Sequence, residues 1–357
     1  MSKLVILQTV VPDYRKRVFE GVYQKLGQDF ILYAGDRYFE GSVQTDYSVK
    51  NLTLIKNHYL FNNKVLFQTG MWKEVLSTAC VIQELNPRIL SNWLILLIRI
   101  ILNKKVILWG HAWPRSGKDS KSDMIRNLMR RMADEIIVYT ESQAEELRHK
   151  MVGKTIMAAP NSLYSKSEMR PLILEDGEVN NFIYVGRLTA LKKVDFLVRS
   201  FITSIPQLPE NCSLLIVGDG ELKQELVDLV YENDVSERVK LLGHIGDLEN
   251  LRSLYASSIA SISPGYVGLS ITQSFGFGVP MIISKNENHS PEIEAAVDGE
   301  NALFFEHSLK NSLAEILKRM IDNKKHWIGK RFEINESCKA KYPVELMIQQ
   351  LILASQT

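Results

Sequence analysis

The sequence predicts an α/β chain of two Rossmann-like, doubly wound domains facing each other across a cleft. Three observations carry this expectation. The 357 residues exceed one ordinary core and suit two domains of similar size. Short continuous apolar runs alternate with helical patterns in both halves, as parallel strands covered on both faces do. Glycines also sit just after strands, at Gly186, Gly218, Gly220 and Gly243, where a doubly wound sheet turns toward its binding edge.

In order along the chain, Leu4–Gln8 reads as a strand, Arg15–Leu26 as a helix and Phe30–Ala34 as a second strand. Arg88–Ser91 follows as a strand, Trp93–Leu102 as a buried helix and Val106–Trp109 as a strand. The basic helix Ser122–Met132 precedes a strand at Ile136–Tyr139. In the second half, Phe182–Val185, Leu214–Val217, Val239–Leu242, Ile259–Ser263 and Pro280–Ser284 are strand candidates. Helices at Val194–Thr203, Glu221–Glu232, Leu248–Ser257 and Leu269–Phe277 separate them. The polar stretch 165–181, with Pro171 and Gly177, reads as the linker. The expected domains are 1–165 on the acceptor side and 166–340 on the donor side, with 341–357 a helix packing back on the first.

Hydrophobic residues make up 45% and charged residues 24%, a globular composition that excludes disordered, fibrous and disulfide-built classes. Cys80, Cys212 and Cys338 form no Cys-x-x-Cys pair and suit a reducing compartment. The opening run lacks the apolar length and cleavage site of a signal peptide. Trp93–Leu102 is too short to span a bilayer and is interrupted by Arg99. The expected location is therefore cytoplasmic, with peripheral contact at the inner face of the membrane as a second element. That element rests on residues 99–131, where nine Lys or Arg face two Asp, a local excess of seven in a chain of net charge +2. A solvated surface is the ordinary reading of such a run, and anionic lipid is the sharper one. Nucleic acid is not expected, because no aromatic-interleaved basic groove accompanies the charge.

Two stretches carry chemistry. In Tyr184-Val-Gly-Arg-Leu-Thr-Ala-Leu-Lys-Lys193 a strand ends at Gly186, Arg187 follows at once and Lys192 precedes the next helix. A diphosphate needs converging cations, and the pair supplies a bidentate fork and a mobile point charge. The second stretch, Ile262 to Pro280, runs strand, glycine loop, helix and Gly-x-Pro turn. Gly265 and Gly268 let backbone approach a ligand, and the amides of Val267, Gly268 and Leu269 open a helix toward an anion. Gln273, about one turn in, reaches for ribose hydroxyls. Gly276 and Gly278 read as packing glycines.

These motifs resemble glycosyltransferase family 4, retaining enzymes of the GT-B fold. The likeness rests on Val185-Gly-Arg-Leu188 with Lys192, Val217-Gly-Asp-Gly-Glu221, Val239-Lys-Leu-Leu-Gly243, Pro264–Pro280 and Pro291-Glu-Ile293 before Asp298-Gly299. Pro160-Asn-Ser162 and Trp109-Gly-His111 extend it into the first half. The resemblance implies a donor site of Gly186, Arg187, Lys192, His244, Gly265, Val267, Gly268, Leu269 and Gln273. It implies catalytic roles for Arg187, Lys192 and His111, and acceptor contacts at Tyr14 and Arg15. The chain departs from the family where Gly265 and Gln273 stand in place of a glutamate pair. What it implies is retaining, metal-independent and cofactor-free transfer from a nucleotide-diphospho-sugar to a saccharide or lipid-linked acceptor. The narrower likeness is to bacterial surface-polysaccharide enzymes of the O-antigen, capsule or exopolysaccharide type. A non-catalytic nucleotide-sugar-binding subunit and a GT-B epimerase are the rival readings.

Overall fold

The computed structural model describes residues 4–41, 43–114, 117–309 and 311–356. Met1–Lys3 of the opening run and Arg115 of the basic stretch lie outside them. The chain divides into two compact units, 1–165 with 344–357, and 166–343. Each is built on a parallel sheet, so the chain has two Rossmann-like halves.

The first unit holds β1 (Leu4–Gln8), β2 (Phe30–Ala34), β3 (Leu52–Leu54), the hairpin β4–β5 (Lys56–Leu60 and Val65–Thr69), β6 (Cys80–Glu84), β7 (Lys105–Trp109), β8 (Glu135–Val138) and β9 (Thr155–Ala158). The order β3-β2-β1-β6-β7-β8-β9 reverses direction between β1 and β6. Its helices are α1 (Lys16–Leu26), α2 (Trp72–Ser77), α3 (Leu90–Ile101), α4 (Asp123–Met132) and α5 (Glu141–Lys150). Alternate strand residues feed two cores. Leu4, Ile6, Ile82 and Ile107 pack with Val18, Phe19 and Val22 of α1 on one face. Val5, Val81, Val106, Leu108 and Ile136 meet α2 to α5 on the other. Thr140 begins α5 by accepting the Gln143 amide at 3.3 Å, the usual role of a hydroxyl at a helix start.

Two expectations fail here. Arg88–Ser91 is not a strand: Ile89 makes only an isolated bridge to Leu66, and the strand of that region is β6. Pro87 lacks an amide for a ladder and restricts its neighbour, so the chain turns there and enters α3. Nor is Trp93–Leu102 buried. Ile95, Leu96 and Arg99 face the sheet, while Leu94, Leu97, Ile100, Ile101 and Leu102 are exposed. A single helical layer covers only one side of each helix, and among the described residues nothing covers the other.

The second unit holds β10 (Asn181–Val185), β11 (Leu214–Val217), β12 (Val239–Gly243), β13 (Ser258–Ser263), β14 (Met281–Ser284) and β15 (Ala302–Phe305). Its helices are α6 (Val194–Ser204), α7 (Lys223–Glu232), α8 (Leu248–Ala256), α9 (Ser270–Gly276), α10 (Ser312–Asp322), α11 (Lys324–Gly329) and α12 (Arg331–Lys341). The strand order β12-β11-β10-β13-β14-β15 is that of a dinucleotide-fold sheet, and it reverses between β10 and β13. Asp247 caps α8 by accepting the Asn250 amide at 2.8 Å. Gly278 has φ +77°, and a Cβ there would lie 2.5 Å from the Arg331 carbonyl, so its role is packing.

The last helix, α13 (Val344–Gln356), belongs to the first unit. Met347 and Leu351 are fully buried against the α1 side of that core, each worth about 1.5–3 kcal/mol.

Candidate functional site

Ligands of doubly wound sheets bind outside the strand ends where the order reverses. In the second unit that point lies between the ends of β10 and β13, so the loops 186–193 and 264–269 flank it. Backbone contacts interlock these loops. Tyr266 N–H donates to the Leu191 carbonyl at 3.0 Å, and a Cβ on Gly265 would lie 2.4 Å from that same oxygen. On the other side, Leu188 N–H donates to the Asp219 carbonyl at 2.9 Å. Gly218, at φ +149°, leaves only 1.8 Å between a would-be Cβ and the Gly186 carbonyl. Only glycine fits there.

Lys192 is the centre of the arrangement. Its Nζ donates to the Tyr266 carbonyl at 2.6 Å and stands 4.9 Å from the Tyr266 ring centroid. Its pKa is pushed down to about 8, chiefly by burial and then by the Arg187 charge, with Glu292 opposing both. Arg187 and Glu292 are therefore close enough to act electrostatically on Lys192. Arg187 itself is exposed, and its carbonyl accepts the Tyr184 hydroxyl at 2.8 Å. Two cations are thus held on one loop against their mutual repulsion, the situation an anionic ligand relieves.

A third loop, after β14, completes the rim. Ser290 N–H donates to the Val267 carbonyl at 3.1 Å, and Ser290 Oγ donates to Glu292. His289 Nδ1 accepts the Val267 amide at 3.1 Å, and its Nε2 lies 2.7 Å from the Ser284 carbonyl. That pairing fixes the neutral tautomer with Nε2 protonated, and burial lowers the His289 pKa. Lys193, in the left-handed region at φ 51°, pairs with Glu287. His307 Nε2 donates to the Pro264 carbonyl at 2.6 Å.

This geometry corrects part of the amide expectation. The Val267 amide is occupied by His289. The amides of Gly268 and Leu269 donate to no described residue, but α9 has only seven residues. Most of the positive field therefore comes from Lys192 and Arg187. At Gly268 a Cβ would find nothing closer than 3.8 Å, so packing does not demand a glycine there. Gln273 is buried on α9, and its Oε1 accepts the Tyr255 hydroxyl at 3.3 Å. His244, after β12, is exposed and acts electrostatically on Asp219.

In the first unit, the strand ends at the corresponding reversal carry Thr9 and Glu84. Both carboxylate oxygens of Glu84 are held by Thr9, through its amide and its hydroxyl, the latter at 2.9 Å. Arg15 is buried, its guanidinium within 5.2–5.7 Å of the Tyr14, Trp109 and Tyr139 ring centroids. Tyr14 is exposed. His111 is exposed after β7, 4.8 Å from the Tyr139 ring, and its carbonyl accepts Arg126 Nη1 at 3.0 Å. Tyr14, Arg15 and His111 thus gather around Trp109 and Tyr139.

Sequence reasoning gave Glu292 no role, although the Pro291-Glu292 pair stood inside a quoted motif. It missed His289 entirely; the only signal was a histidine two residues before that pair. Among the described residues, no three His, Cys, Asp or Glu side chains gather as metal ligands.

Residues 165–336 match the family model described as Glycosyl transferases group 1. An uncharacterized glycosyltransferase of Haemophilus influenzae is 27% identical over 62% of this chain and 62% of its own length. A Campylobacter jejuni enzyme named N-acetylgalactosamine-N,N'-diacetylbacillosaminyl-diphospho-undecaprenol 4-alpha-N-acetylgalactosaminyltransferase is 27% identical over 44% of this chain and 41% of its own. The chain thus spans less than two thirds of either relative. The HepE structure of Anabaena, solved with UDP, superposes with a TM-score of 0.71 over 98% of both chains at 13% identity. These findings support a glycosyltransferase: the chain has the GT-B fold, and its second unit matches a group 1 glycosyl transferase domain.

Proposed function

We propose that the chain transfers a sugar from a nucleotide-diphospho-sugar to a hydroxyl of a saccharide or lipid-linked acceptor. Transfer proceeds with retention and without a metal ion or other cofactor, as in family 4. The observation that carries this reading is the convergence of Lys192, Arg187 and Glu292 at the point where the second sheet reverses. A pyrophosphate bound there adds negative charge beside two cations whose repulsion Glu292 opposes only at Lys192.

The anomeric carbon–oxygen bond to the diphosphate breaks as the acceptor oxygen bonds the same face. The acceptor proton passes to the departing phosphate oxygen. Arg187 and Lys192 stabilise the charge growing on that phosphate, the kind of preorganised stabilisation that dominates many transfer reactions. Gly186, Gly265, Val267, Gly268 and Leu269 shape the backbone around the donor, with Gln273 and His244 on the nucleoside. His111 contacts the reacting sugars, and Tyr14, backed by Arg15, contacts the acceptor. The lipid-diphosphate in the name of the C. jejuni relative supports a lipid-linked acceptor in surface-polysaccharide synthesis, and with it the cytoplasmic face of a membrane. No helix among the described residues is long and apolar enough to cross one.

A thermal-shift screen against uridine, guanosine, cytidine and thymidine diphospho-sugars finds the donor, because a ligand of the native state stabilises it. The UDP of HepE puts uridine first. Turnover with the stabilising donor, unchanged by EDTA, is the expected result. In Arg187→Ala or Lys192→Ala it should fall about 10²–10³-fold, with the melting midpoint of the free protein retained. Wild-type rates in either variant overturn the reading. The absence of the family's glutamate pair favours a non-catalytic binding subunit as the second reading; donor binding with no turnover across an acceptor panel would support it. Conversion of the donor sugar without any acceptor would mark an epimerase.

A further inference from the structure

The basic stretch 99–131 is not, as a whole, a charged surface. Arg99 and Arg130 are wholly buried. Arg126 donates to the Leu85 and His111 carbonyls. What α3 and α4 present outward instead is apolar. On α3, Leu94, Leu97 and Ile101 follow one another at three- and four-residue spacing, a single helical stripe, and Ile101 is 81% exposed. On the neighbouring α4, Met124 (77% exposed), Ile125 and Leu128 do the same. The two helices pack side by side on one face of the sheet, so their outer stripes form one surface. Contiguous apolar exposure of this kind marks an interaction site rather than scattered surface leucines.

The rim shows what covers it. The Met124–Leu128 stripe continues one turn later into Arg131. Its guanidinium makes no hydrogen bond or ion pair with a described residue. Beside Arg131 the turn after α5 brings Lys150 and Lys154 around a shallow cavity of about 340 Å³. That turn also carries Val152, 93% exposed at its tip. Lys150 is paired with Asp123, which Arg130 also holds, so the nearest carboxylate is already neutralised. Apolar side chains flanked by Arg131 and Lys154, which pair with no described carboxylate, and by Lys150, which shares Asp123 with Arg130, are complementary to acyl chains beneath phosphate headgroups.

We infer that the outer face of α3 and α4, with the Arg131–Lys150–Lys154 rim, docks the chain on an anionic lipid surface. Leu97, Ile101, Met124 and Leu128 enter the interface, and the rim holds headgroup phosphates. The inference does not rest on the donor reading, because it concerns the first unit and needs no nucleotide.

The test uses the whole chain without nucleotide, sedimented with vesicles of phosphatidylglycerol and phosphatidylcholine in equal parts, and with phosphatidylcholine alone. Wild type is expected to pellet with the anionic vesicles at low salt and to be released as salt rises. Leu97→Ser with Leu128→Ser should weaken binding about tenfold, and Arg131→Glu at least about fivefold. All three positions are exposed, so melting midpoints should stay at the wild-type value, and donor thermal shift, read separately, reports on the second unit. No pelleting at low salt, or equal pelleting by the variants, overturns the inference. So does self-association in the ultracentrifuge that the double variant abolishes while vesicle binding is absent, since the face would then belong to a second copy.

Discussion

Lys192 makes the proposed donor site testable by counting protons. Its pKa of about 8 means that about half the ligand-free molecules carry a neutral amine at pH 8, and about a tenth at pH 7. A bound diphosphate favours the charged form and moves the pKa up by about 1–3 units. Donor binding must then take up about half a proton at pH 8 and about a tenth at pH 7. The sign is fixed: a base whose pKa rises on binding gains protons, so affinity falls as pH climbs past the free value. Calorimetry with UDP-glucose in two buffers of different ionisation heat reads the uptake directly, because the donor's diphosphate has no group titrating in that range. Lys192→Ala should bind more weakly and take up none. Glu292→Gln removes the one influence that raises the pKa. A loss of about one unit should bring the half-proton uptake down to about pH 7. Tight binding with no uptake at pH 8, or the same uptake in Lys192→Ala, would refute the placement of the diphosphate on this amine.

Three further outcomes follow from packing. Gly265→Ala drives a Cβ into the Leu191 carbonyl and should cut donor affinity about tenfold or more by displacing Lys192; titration of the purified variant reads this. Gly218→Ala, at φ +149° with a 1.8 Å clash against the Gly186 carbonyl, should destabilise the second unit by about 2–4 kcal/mol, measured by denaturant unfolding. Arg99→Met strands four carbonyls, those of Val75, Thr78, Ala79 and Lys105, that Arg99 reaches at 2.5–3.1 Å. A loss of about 3 kcal/mol or more from the first unit is expected.

The parallel sheets were legible because their strands are buried on both faces, so runs such as Leu214–Val217 are continuously apolar. Strands without that signature escaped. Lys56–Leu60 alternates exposed and half-buried residues, and its hairpin turns through Phe61, Asn62 and Asn63 at positive φ, a turn signal without the glycine that usually marks one. Ala302–Phe305 is a four-residue edge strand whose apolar run is as continuous as that of Leu214–Val217, and it was overlooked all the same. The burial of α3 was misread for another reason. An all-apolar helix in a sequence implies cover on every side, and a sequence does not say whether that cover comes from the same chain. The closeness of Arg187 and Lys192 was legible because Gly186-Arg187 and Lys192 bracket one loop. Glu292 was not, since its closeness to Lys192 arises only when β14 is laid beside β13.

The absence of a glutamate at position 265 then has a physical reading. Gly265 sits where the loop after β13 presses on the backbone of Leu191 and Lys192, with no room for any side chain. The same loop is hydrogen-bonded to each: the Tyr266 amide donates to the Leu191 carbonyl, and the Tyr266 carbonyl accepts from the Lys192 ammonium. With Gly218 against Gly186 and Gly220 against Leu188, three loop tips are locked backbone to backbone, and Lys192 is fixed by that lock rather than by a neighbouring carboxylate. The remaining acid, Glu292, approaches from β14's loop and is itself held by Ser290. If the proposed donor binds here, a pocket built this way exchanges one donor-sugar contact for tighter placement of the cation that the diphosphate meets. On the proposed function, specificity for the sugar comes from side chains other than residue 265, and Lys192 and Arg187 carry the electrostatic stabilisation of the leaving group.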